Sequence, residues 1–425
     1  MDKATKYRAK KQKPSNLFGP PKRFAWWLKP VAWLLSAEGF RAKITKVNMK
    51  GVKSPFILLC NHSSFVDFKV ATKAVFPHGY NNIVAIDGFI GREWIMRKVG
   101  CLCKRKYTND IGLVLDIKKI IKEHKDIVCI YPEGRYTYTG TSGPIPKSTG
   151  KLARMLGVPV VTLNMSGNFI NSPYWNRGAR KVPLRARMEQ IITAEETKTL
   201  SVDELNARII KGLSHDDFKY QQDNNIRIKK RDNAQNFHLV LYQCPNCEKE
   251  FSVSAGGNSL SCSNCGAEYT LTEYGRFEKT GGGTEFPHPP EWFHWQRENV
   301  RKQIAQPNYK WQDECVVWTL KDSNGFQDLE GTFTLTHNKK GFALTGVFDG
   351  KKQTLTWPTE QQYTIHDEIG DAVGQAISLS TKDQTWYIFP KNRPLEIVKL
   401  RLAAEEMHKF VMKDKALAIA TCALD

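Results

Sequence analysis

The stretch PFILLCNHSSFVDF (Pro55–Phe68) joins an apolar run to a polar loop and the start of a helix. PFILLC is short and bounded, as buried strands are, and Ser63 and Ser64 are common helix N-caps. Residues five apart in a regular helix point roughly 140° away from each other. His62 can therefore pair with Asp67 only from the loop, with its ring folded over the first helical turn. The stretch predicts a strand, a loop and a helix that carry a histidine–aspartate pair.

The alternation of strand-like and helical patterns continues from about residue 50 to 195. Further strand-like runs are NIVAI (82–86), DIVCIY (126–131), VPVVTLNM (158–165) and RARMEQIIT (185–193), and DIGLVLDIKKIIKEHK (110–125) has helical spacing. Apolar strands that alternate with helices indicate an α/β fold with a mostly parallel sheet flanked by helices. Ligand sites in such sheets lie beyond the carboxyl ends of the strands, where polar residues follow both PFILLC and DIVCIY.

Several segments resemble, in order and spacing, the motifs of the glycerolipid acyltransferases, the group that contains the bacterial 1-acyl-glycerol-3-phosphate acyltransferases. HSSFVD matches their His-x4-Asp signature. The matching residues of the later blocks are Gly100 and Arg105 in GCLCKR, Glu133, Gly134 and Arg135 in YPEGRYT, Lys147 and Gly150 in PKSTGKLARMLG, and Pro159 in GVPVVTL. The resemblance covers roughly residues 20–215 and predicts an acyltransferase domain over residues 46–218.

The resemblance implies a reaction without a protein nucleophile or a catalytic cofactor. His62 would remove the proton from the free hydroxyl of a lysophospholipid, and Asp67 would stabilise the imidazolium. The hydroxyl oxygen would attack the thioester of acyl carrier protein or coenzyme A, the co-substrate. With 1-acyl-glycerol-3-phosphate as the acceptor, the product is phosphatidic acid. Backbone N–H groups of residues 63–66 are candidate donors to the oxyanion.

The same resemblance assigns a set of residues to the substrate: Asn61, Gly100, Arg105, Glu133, Gly134, Arg135 and Lys147. Arginine suits a phosphate because its planar fork donates two parallel hydrogen bonds. The family usually has this arginine three positions after the glutamate, where this chain has Tyr136. Arg135 comes one residue early, so the loop must differ and the acceptor head group stays open.

Two cysteine pairs predict a metal site. CPNC contains Cys244 and Cys247, and CSNC contains Cys262 and Cys265. Two such pairs at this separation are typical of a zinc ribbon with a structural, tetrahedral Zn²⁺. We expect the ribbon over residues 240–275. The other six cysteines are scattered, as in a reducing compartment.

Charge and aromatic residues are concentrated at the N-terminus. Residues 1–55 carry 14 Lys and Arg against 2 Asp and Glu, a net of +12 of the total +20. Beside them lies FAWWLKPVAWLL (Phe24–Leu35), well short of the roughly 20 residues that span a bilayer. Tryptophan and lysine on a short apolar helix suit the membrane interface, although such a helix could also pack on the protein itself. Residues 1–45 are therefore predicted to bind an anionic membrane as a peripheral segment, at the cytoplasmic face of the cell membrane.

The last part of the chain predicts a β-rich domain. Short alternating strands separated by turn residues run from about residue 308 to 400, and one helical pattern, residues 394–417, follows them. We expect a domain over residues 306–417 that is closed by this helix and has the outline of a pleckstrin-homology module.

Two other functions compete with acyl transfer. A zinc ribbon and a charge of +20 would also fit a nucleic-acid-binding protein. Residues 241–275 carry only Lys249 against four glutamates, which disfavours a phosphate backbone as their partner. The second alternative is an inactive acyltransferase fold that serves as a lipid-binding scaffold, which the complete set of motif residues opposes.

Overall fold

The computed structural model describes residues 15–348, 350–370, 374–413 and 419–420. The basic tract before residue 15, and residues 414–417 of the predicted C-terminal helix, lie outside this part of the chain. Within the described residues, the helices are all too short or too polar to cross a membrane.

The N-terminal half is a mixed α/β domain. Its helices are α1 (Lys29–Leu35), α2 (Asp67–Val75), α3 (Glu93–Lys98), α4 (Ile111–Lys119), α5 (Ser148–Leu156), α6 (Asn168–Asn171), α7 (Glu196–Thr199), α8 (Val202–Leu213) and α9 (Asp217–Asp223). Its strands are β1 (Lys43–Val47), β2 (Ile57–Cys60), β3 (Tyr80–Ala85), β4 (Leu102–Lys104), β5 (Ile127–Ile130), β6 (Ile145–Pro146), β7 (Val160–Ser166) and β8 (Arg185–Ile192). All five strand-like runs named from the sequence overlap a strand.

Seven of these strands form one sheet in the order β1-β8-β7-β2-β5-β3-β4. Neighbouring strands are parallel except for the pair β7 and β8. This is the mostly parallel sheet that the apolar, unalternating strands predicted. Alternate residues of β2 enter two cores: Leu58 packs with α2, and Ile57 and Leu59 pack with α4, α5 and α8.

The sequence patterns missed two strands and misplaced one helix start in this domain. Strands β1 and β4 lie at the two edges of the sheet; β1 is mostly polar and β4 has only three residues, so neither shows a strand pattern. Helix α2 begins at Asp67, after a turn, rather than at the serines proposed as N-caps. A capping box opens α8, because Ser201 and Glu204 bond each other's backbone N–H.

A small antiparallel sheet carries the cysteine pairs. Its strands are β9 (Val253–Gly256), β10 (Ser259–Cys262), β11 (Glu268–Leu271) and β12 (Phe277–Lys279), and helix α10 (Pro289–Ile304) follows. Trp292 of α10 is fully buried and donates a hydrogen bond to the carbonyl of Gln243, 2.8 Å away. This contact ties the helix to the chain that leads into the first cysteine pair.

The C-terminal part is a seven-stranded antiparallel sheet closed by a helix. Its strands are β13 (Trp311–Leu320), β14 (Gln327–Asn338), β15 (Gly341–Phe348), β16 (Lys351–Pro358), β17 (His366–Gly370), β18 (Gly374–Ser380) and β19 (Thr385–Pro390), and its helix is α11 (Ile397–Val411). The strand order is β16-β15-β14-β13-β19-β18-β17. A β-rich domain closed by a helix was predicted, and its membership of the pleckstrin-homology class stays a prediction.

Candidate active site

The end of strand β2 places His62 in a loop and Asp67 at the start of α2. His62 Nδ1 lies 3.0 Å from Asp67 Oδ2. A carboxylate can only accept a hydrogen bond, so Nδ1 carries the proton and Nε2 keeps its lone pair. Nε2 has no hydrogen-bond partner among the described residues, and the His62 side chain is 21% exposed. The imidazole is therefore oriented from one side and accessible from the other, as a general base requires.

Backbone and side-chain donors hold the Asp67 carboxylate, which is only 1% exposed. Its Oδ2 accepts from the N–H groups of Ser63 at 2.6 Å and Ser64 at 3.0 Å. Its Oδ1 accepts from Asn168 Nδ2 at 2.8 Å. These bonds fix the carboxylate under His62. They also correct an expectation, because the N–H groups of Ser63 and Ser64 are bonded to Asp67 and are not directed at an oxyanion.

Two tyrosine rings lie against the His62 imidazole. The ring centroids of Tyr131 and Tyr136 are each 4.3 Å from that of His62. Tyr136 occupies the position at which the resembling family has arginine. This departure puts an aromatic ring, rather than a guanidinium, beside the histidine. Burial, with Asp67 nearby, raises the pKa of Tyr136, so its hydroxyl remains a proton donor at neutral pH.

Two residues assigned to the substrate are instead used inside the protein. Glu133 Oε1 accepts from the N–H of His62 at 3.2 Å, and Oε2 accepts from the N–H of Gly143 at 2.7 Å. Burial raises the pKa of Glu133 to about 7 despite these two bonds. Asn61 makes two 2.8 Å hydrogen bonds with the backbone of Met165 and is fully buried. Both side chains therefore brace the His62 loop.

The two motif glycines have backbone roles. Gly100 has φ +78°, and a Cβ there would lie 2.8 Å from Asn81 Nδ2. Gly134 has φ +70°, and a Cβ there would lie 3.2 Å from the ring of Tyr107. Left-handed backbone and close neighbours explain glycine at both positions without a substrate contact. Lys147 pairs with Asp203 of α8, with 3.2 Å between Nζ and Oδ1.

Arg105, predicted to bind a phosphate, is bonded to the C-terminal sheet domain. Its two terminal nitrogens donate to the carbonyls of Lys382 at 3.0 Å and Lys321 at 2.7 Å. Its guanidinium also lies 4.5 Å from the ring centroid of Phe18, in the N-terminal segment. The side chain is buried. In this structure two of the guanidinium's donors join Arg105 to the C-terminal domain, and its Nε has no partner among the described residues.

Arg135 is likewise directed into the C-terminal domain. Its guanidinium lies 2.7 Å from Glu405 of α11 and 3.7 Å from Asp367 of β17. Although burial opposes the charge, Glu405 raises the pKa of Arg135. Arg297 and Arg401 also pair with Glu405, so the cluster balances several buried charges. The early position of this arginine thus gives it an ion pair between domains.

The four cysteine sulfurs form a compact group. Their Sγ atoms all lie within 4.8 Å of one another. Cys244 and Cys265 are 3.7 Å apart, and Cys247 and Cys262 are 3.8 Å apart. Tetrahedral Zn–S bonds of about 2.3 Å imply sulfur–sulfur distances of about 3.8 Å, so the set fits a Zn²⁺ ion. The amides of Asn246 and Asn264 each donate to one sulfur, of Cys265 and Cys247 respectively, at 3.4 Å.

Sequence reasoning missed Asn168, which orients the Asp67 carboxylate. It follows strand β7, just as His62 follows β2 and Glu133 follows β5. The carboxyl ends of parallel strands meet at one edge of a sheet, so the same rule could have identified it. Glu368 was also missed. This residue of β17 accepts a hydrogen bond from Tyr174, whose ring lies near that of Tyr136, and no local sequence pattern marks it.

Comparison with known proteins gives one family match. Residues 41–166 match the model of the acyltransferase family. Among solved structures, the chain is similar to the 1-acyl-sn-glycerophosphate (LPA) acyltransferase PlsC from Thermotoga maritima, with 16% identity and a TM-score of 0.34 over 44% of this chain and 80% of that one. Curated proteins gave no match.

Proposed function

We propose that this chain, whose residues 41–166 form an acyltransferase domain, moves a fatty acyl group from a thioester carrier to the free hydroxyl of a lysophospholipid. The observation that carries the proposal is the His62–Asp67 pair, 3.0 Å apart, with Nε2 open to solvent. The carrier is acyl carrier protein or coenzyme A. The motif resemblance favours 1-acyl-glycerol-3-phosphate as the acceptor and phosphatidic acid as the product.

The proposed reaction uses His62 first as a base and then as an acid. Nε2 takes the proton of the acceptor hydroxyl while its oxygen attacks the thioester carbonyl carbon. Asp67 stabilises the imidazolium, because the carboxylate stays bonded to Nδ1–H. The tetrahedral intermediate collapses with cleavage of the C–S bond, and the imidazolium returns the proton to the leaving thiolate. The histidine is then ready for another acceptor.

Replacement of the base tests this mechanism. His62→Ala should abolish transfer to lysophospholipid, with a melting temperature close to that of the wild type, because the imidazole is partly exposed. The assay is acyl transfer by purified protein across a panel of lysophospholipids, with acyl-acyl carrier protein and acyl-coenzyme A as donors. His78→Ala, in a turn after α2, is the matched control. Turnover retained by His62→Ala would refute the mechanism.

The N-terminal segment supports peripheral membrane binding as part of the proposal. Trp26 is 79% exposed and Leu34 is 76% exposed. Trp94 of α3 is also exposed, and its ring lies 6.4 Å from that of Trp27. Exposed tryptophans beside basic residues suit an anionic lipid interface. The proposed location is the cytoplasmic face of the cell membrane, next to a lipid acceptor.

Liposome flotation tests the membrane proposal. The substitutions Trp26→Ser and Leu34→Ser together should weaken binding to vesicles of anionic phospholipid by at least about tenfold, because each removes exposed apolar surface that the membrane would bury. Val316→Ser and Val347→Ser, on the exposed C-terminal sheet, provide the matched control. Equal flotation of both double variants would refute this docking surface. Binding of DNA or RNA in place of vesicles would favour the nucleic-acid alternative.

A further inference from the structure

The aromatic wall beside His62 continues into the C-terminal sheet domain. The ring of Tyr136 lies 5.6 Å from that of Tyr174. The hydroxyl of Tyr174 donates to Glu368 of β17. Glu368 also accepts from His366 at 2.6 Å, and His366 lies 2.8 Å from Lys106 Nζ. A line of direct contacts therefore runs from the proposed base to a strand more than 300 residues away in the sequence.

The loop that carries Tyr131 and Tyr136 is held from the same side. The hydroxyl of Tyr138 donates to the carbonyl of Asp367 at 2.8 Å, next to Glu368. Arg135 pairs with Glu405, as described above. Arg135 precedes Tyr136 by one residue and Tyr138 follows it by two. Because both are held by the C-terminal domain, that domain determines where the Tyr136 ring lies.

Tyr136 is the member of this line that faces the reaction. Its ring contacts His62, and its hydroxyl has no hydrogen-bond partner among the residues described. His62 takes its proton from the acceptor hydroxyl, so a group on the flank of its ring lies within reach of the bound acceptor. A neutral phenol can donate to a phosphate or a hydroxyl oxygen of a lysolipid head group.

We infer that the C-terminal sheet domain completes the acceptor side of the active site: Tyr136 binds the acceptor head group, and Glu368 is a positioning residue that acts on Tyr136 through Tyr174. This inference rests on the proposed acyl transfer and adds to it a second domain in acceptor recognition. Arg105 and Arg135 are directed at the C-terminal domain, whereas Tyr136 lies against His62.

The state of Glu368 agrees with a positioning role. Burial alone would raise its pKa, but the interactions with His366 and Lys106 lower the pKa of Glu368 to about 2. The carboxylate is thus ionised at every working pH. Both of its oxygens are occupied, one by His366 and one by Tyr174. Glu368 can therefore orient the tyrosine but cannot itself bind the acceptor.

Steady-state kinetics of full-length variants test the inference. Tyr174→Phe keeps the ring and removes the hydroxyl that Glu368 binds, and Glu368→Gln removes the charge. Each should raise the KM for the acceptor by about tenfold, the usual worth of a hydrogen bond to a charged group, with the KM for the thioester unchanged. The double variant should have an acceptor KM no higher than that of the more impaired single variant, because both substitutions break the same contact. Tyr136→Phe should raise the acceptor KM alone.

Matched controls and opposing results make the test sharp. Glu314→Gln, on the exposed face of β13, should match the wild type. Should Glu368→Gln melt at a lower temperature, Tyr174→Phe and Tyr136→Phe decide the question by themselves. If the wild type is active and the acceptor KM of each variant stays within twofold of the wild-type value, the inference is overturned while the proposed function stands. The same holds if the KM values for acceptor and thioester change equally. A wild type without transfer would overturn the proposed function, and the inference with it.

Discussion

Substitution of Asp67 by asparagine tests the catalytic pair more sharply than removal of the histidine. The change removes one charge and keeps the shape. In the variant the amide oxygen can still accept from Ser63 and Ser64, and the amide nitrogen then faces Asn168. Asn168 Oδ1 is buried without a partner in the part of the chain that the structure describes, so its amide can turn over and accept that N–H. We expect the variant to fold with a loss of only about 1 kcal/mol.

The effect on the reaction should be much larger. A positive imidazolium about 4 Å from a carboxylate gains about 4 kcal/mol at an effective dielectric constant of about 20. Asp67→Asn forfeits this stabilisation in the transition state, which corresponds to a fall in kcat of about a thousandfold. The assay follows free thiol release from acyl-coenzyme A, or lipid product by chromatography, at saturating acceptor.

The control for this prediction is Asp223→Asn, since Asp223 is an exposed residue of α9 that pairs with the exposed Lys219. It should keep wild-type kcat. Thermal unfolding of both variants separates a chemical defect from a folding defect. A kcat for Asp67→Asn within tenfold of the wild type, with the protein folded, would refute the role given to the Asp67 charge.

Three further outcomes follow from other parts of the structure. Cys262→Ser should remove bound zinc, measured as metal content per chain, and lower the melting temperature; an unchanged metal content would contradict the four-cysteine site. Burial raises the pKa of Asp217 to about 7, so the folded state holds a proton that the unfolded chain releases, and stability should fall as pH rises from about 4 to 7. Asp217→Asn should flatten that slope by up to about 1.4 kcal/mol per pH unit in urea titrations, and an unchanged slope would contradict the shift. Glu405→Gln should cost about 3–5 kcal/mol of unfolding free energy by removing the nearer carboxylate partner of the buried Arg135, whereas Glu314→Gln should cost nearly nothing.

The parts of the site that sequence patterns predicted are those built from neighbours in the chain. A buried strand that ends at Cys60 and a helix that starts at Asp67 leave His62 little choice of position. The spacing of the cysteine pairs similarly places four sulfurs on two tight turns. Edge strand β1 escaped prediction because its residues are mostly polar and exposed, and β4 because it has only three residues.

The long motif side chains show where sequence reasoning ends. The motif resemblance assigned Arg105, Glu133 and Arg135 to the substrate. Each of them instead found a partner inside the protein. The Glu133 carboxylate accepts from the N–H groups of His62 and Gly143, and only the folded structure brings these two groups within reach of it. Residue type and order state what a side chain can bond but not which partner comes within reach.

The sequence alone therefore determined the strand–loop–helix unit with His62 and Asp67, the mostly parallel sheet and the cysteine site, because local backbone geometry and burial patterns specify them. Only the tertiary structure decided the use of the two arginines. Arg135 meets Glu405, 270 residues later, and Arg105 meets backbone carbonyls 216 and 277 residues later. A buried guanidinium needs a carboxylate or carbonyls at hydrogen-bond distance, and the docking of the C-terminal domain supplies them.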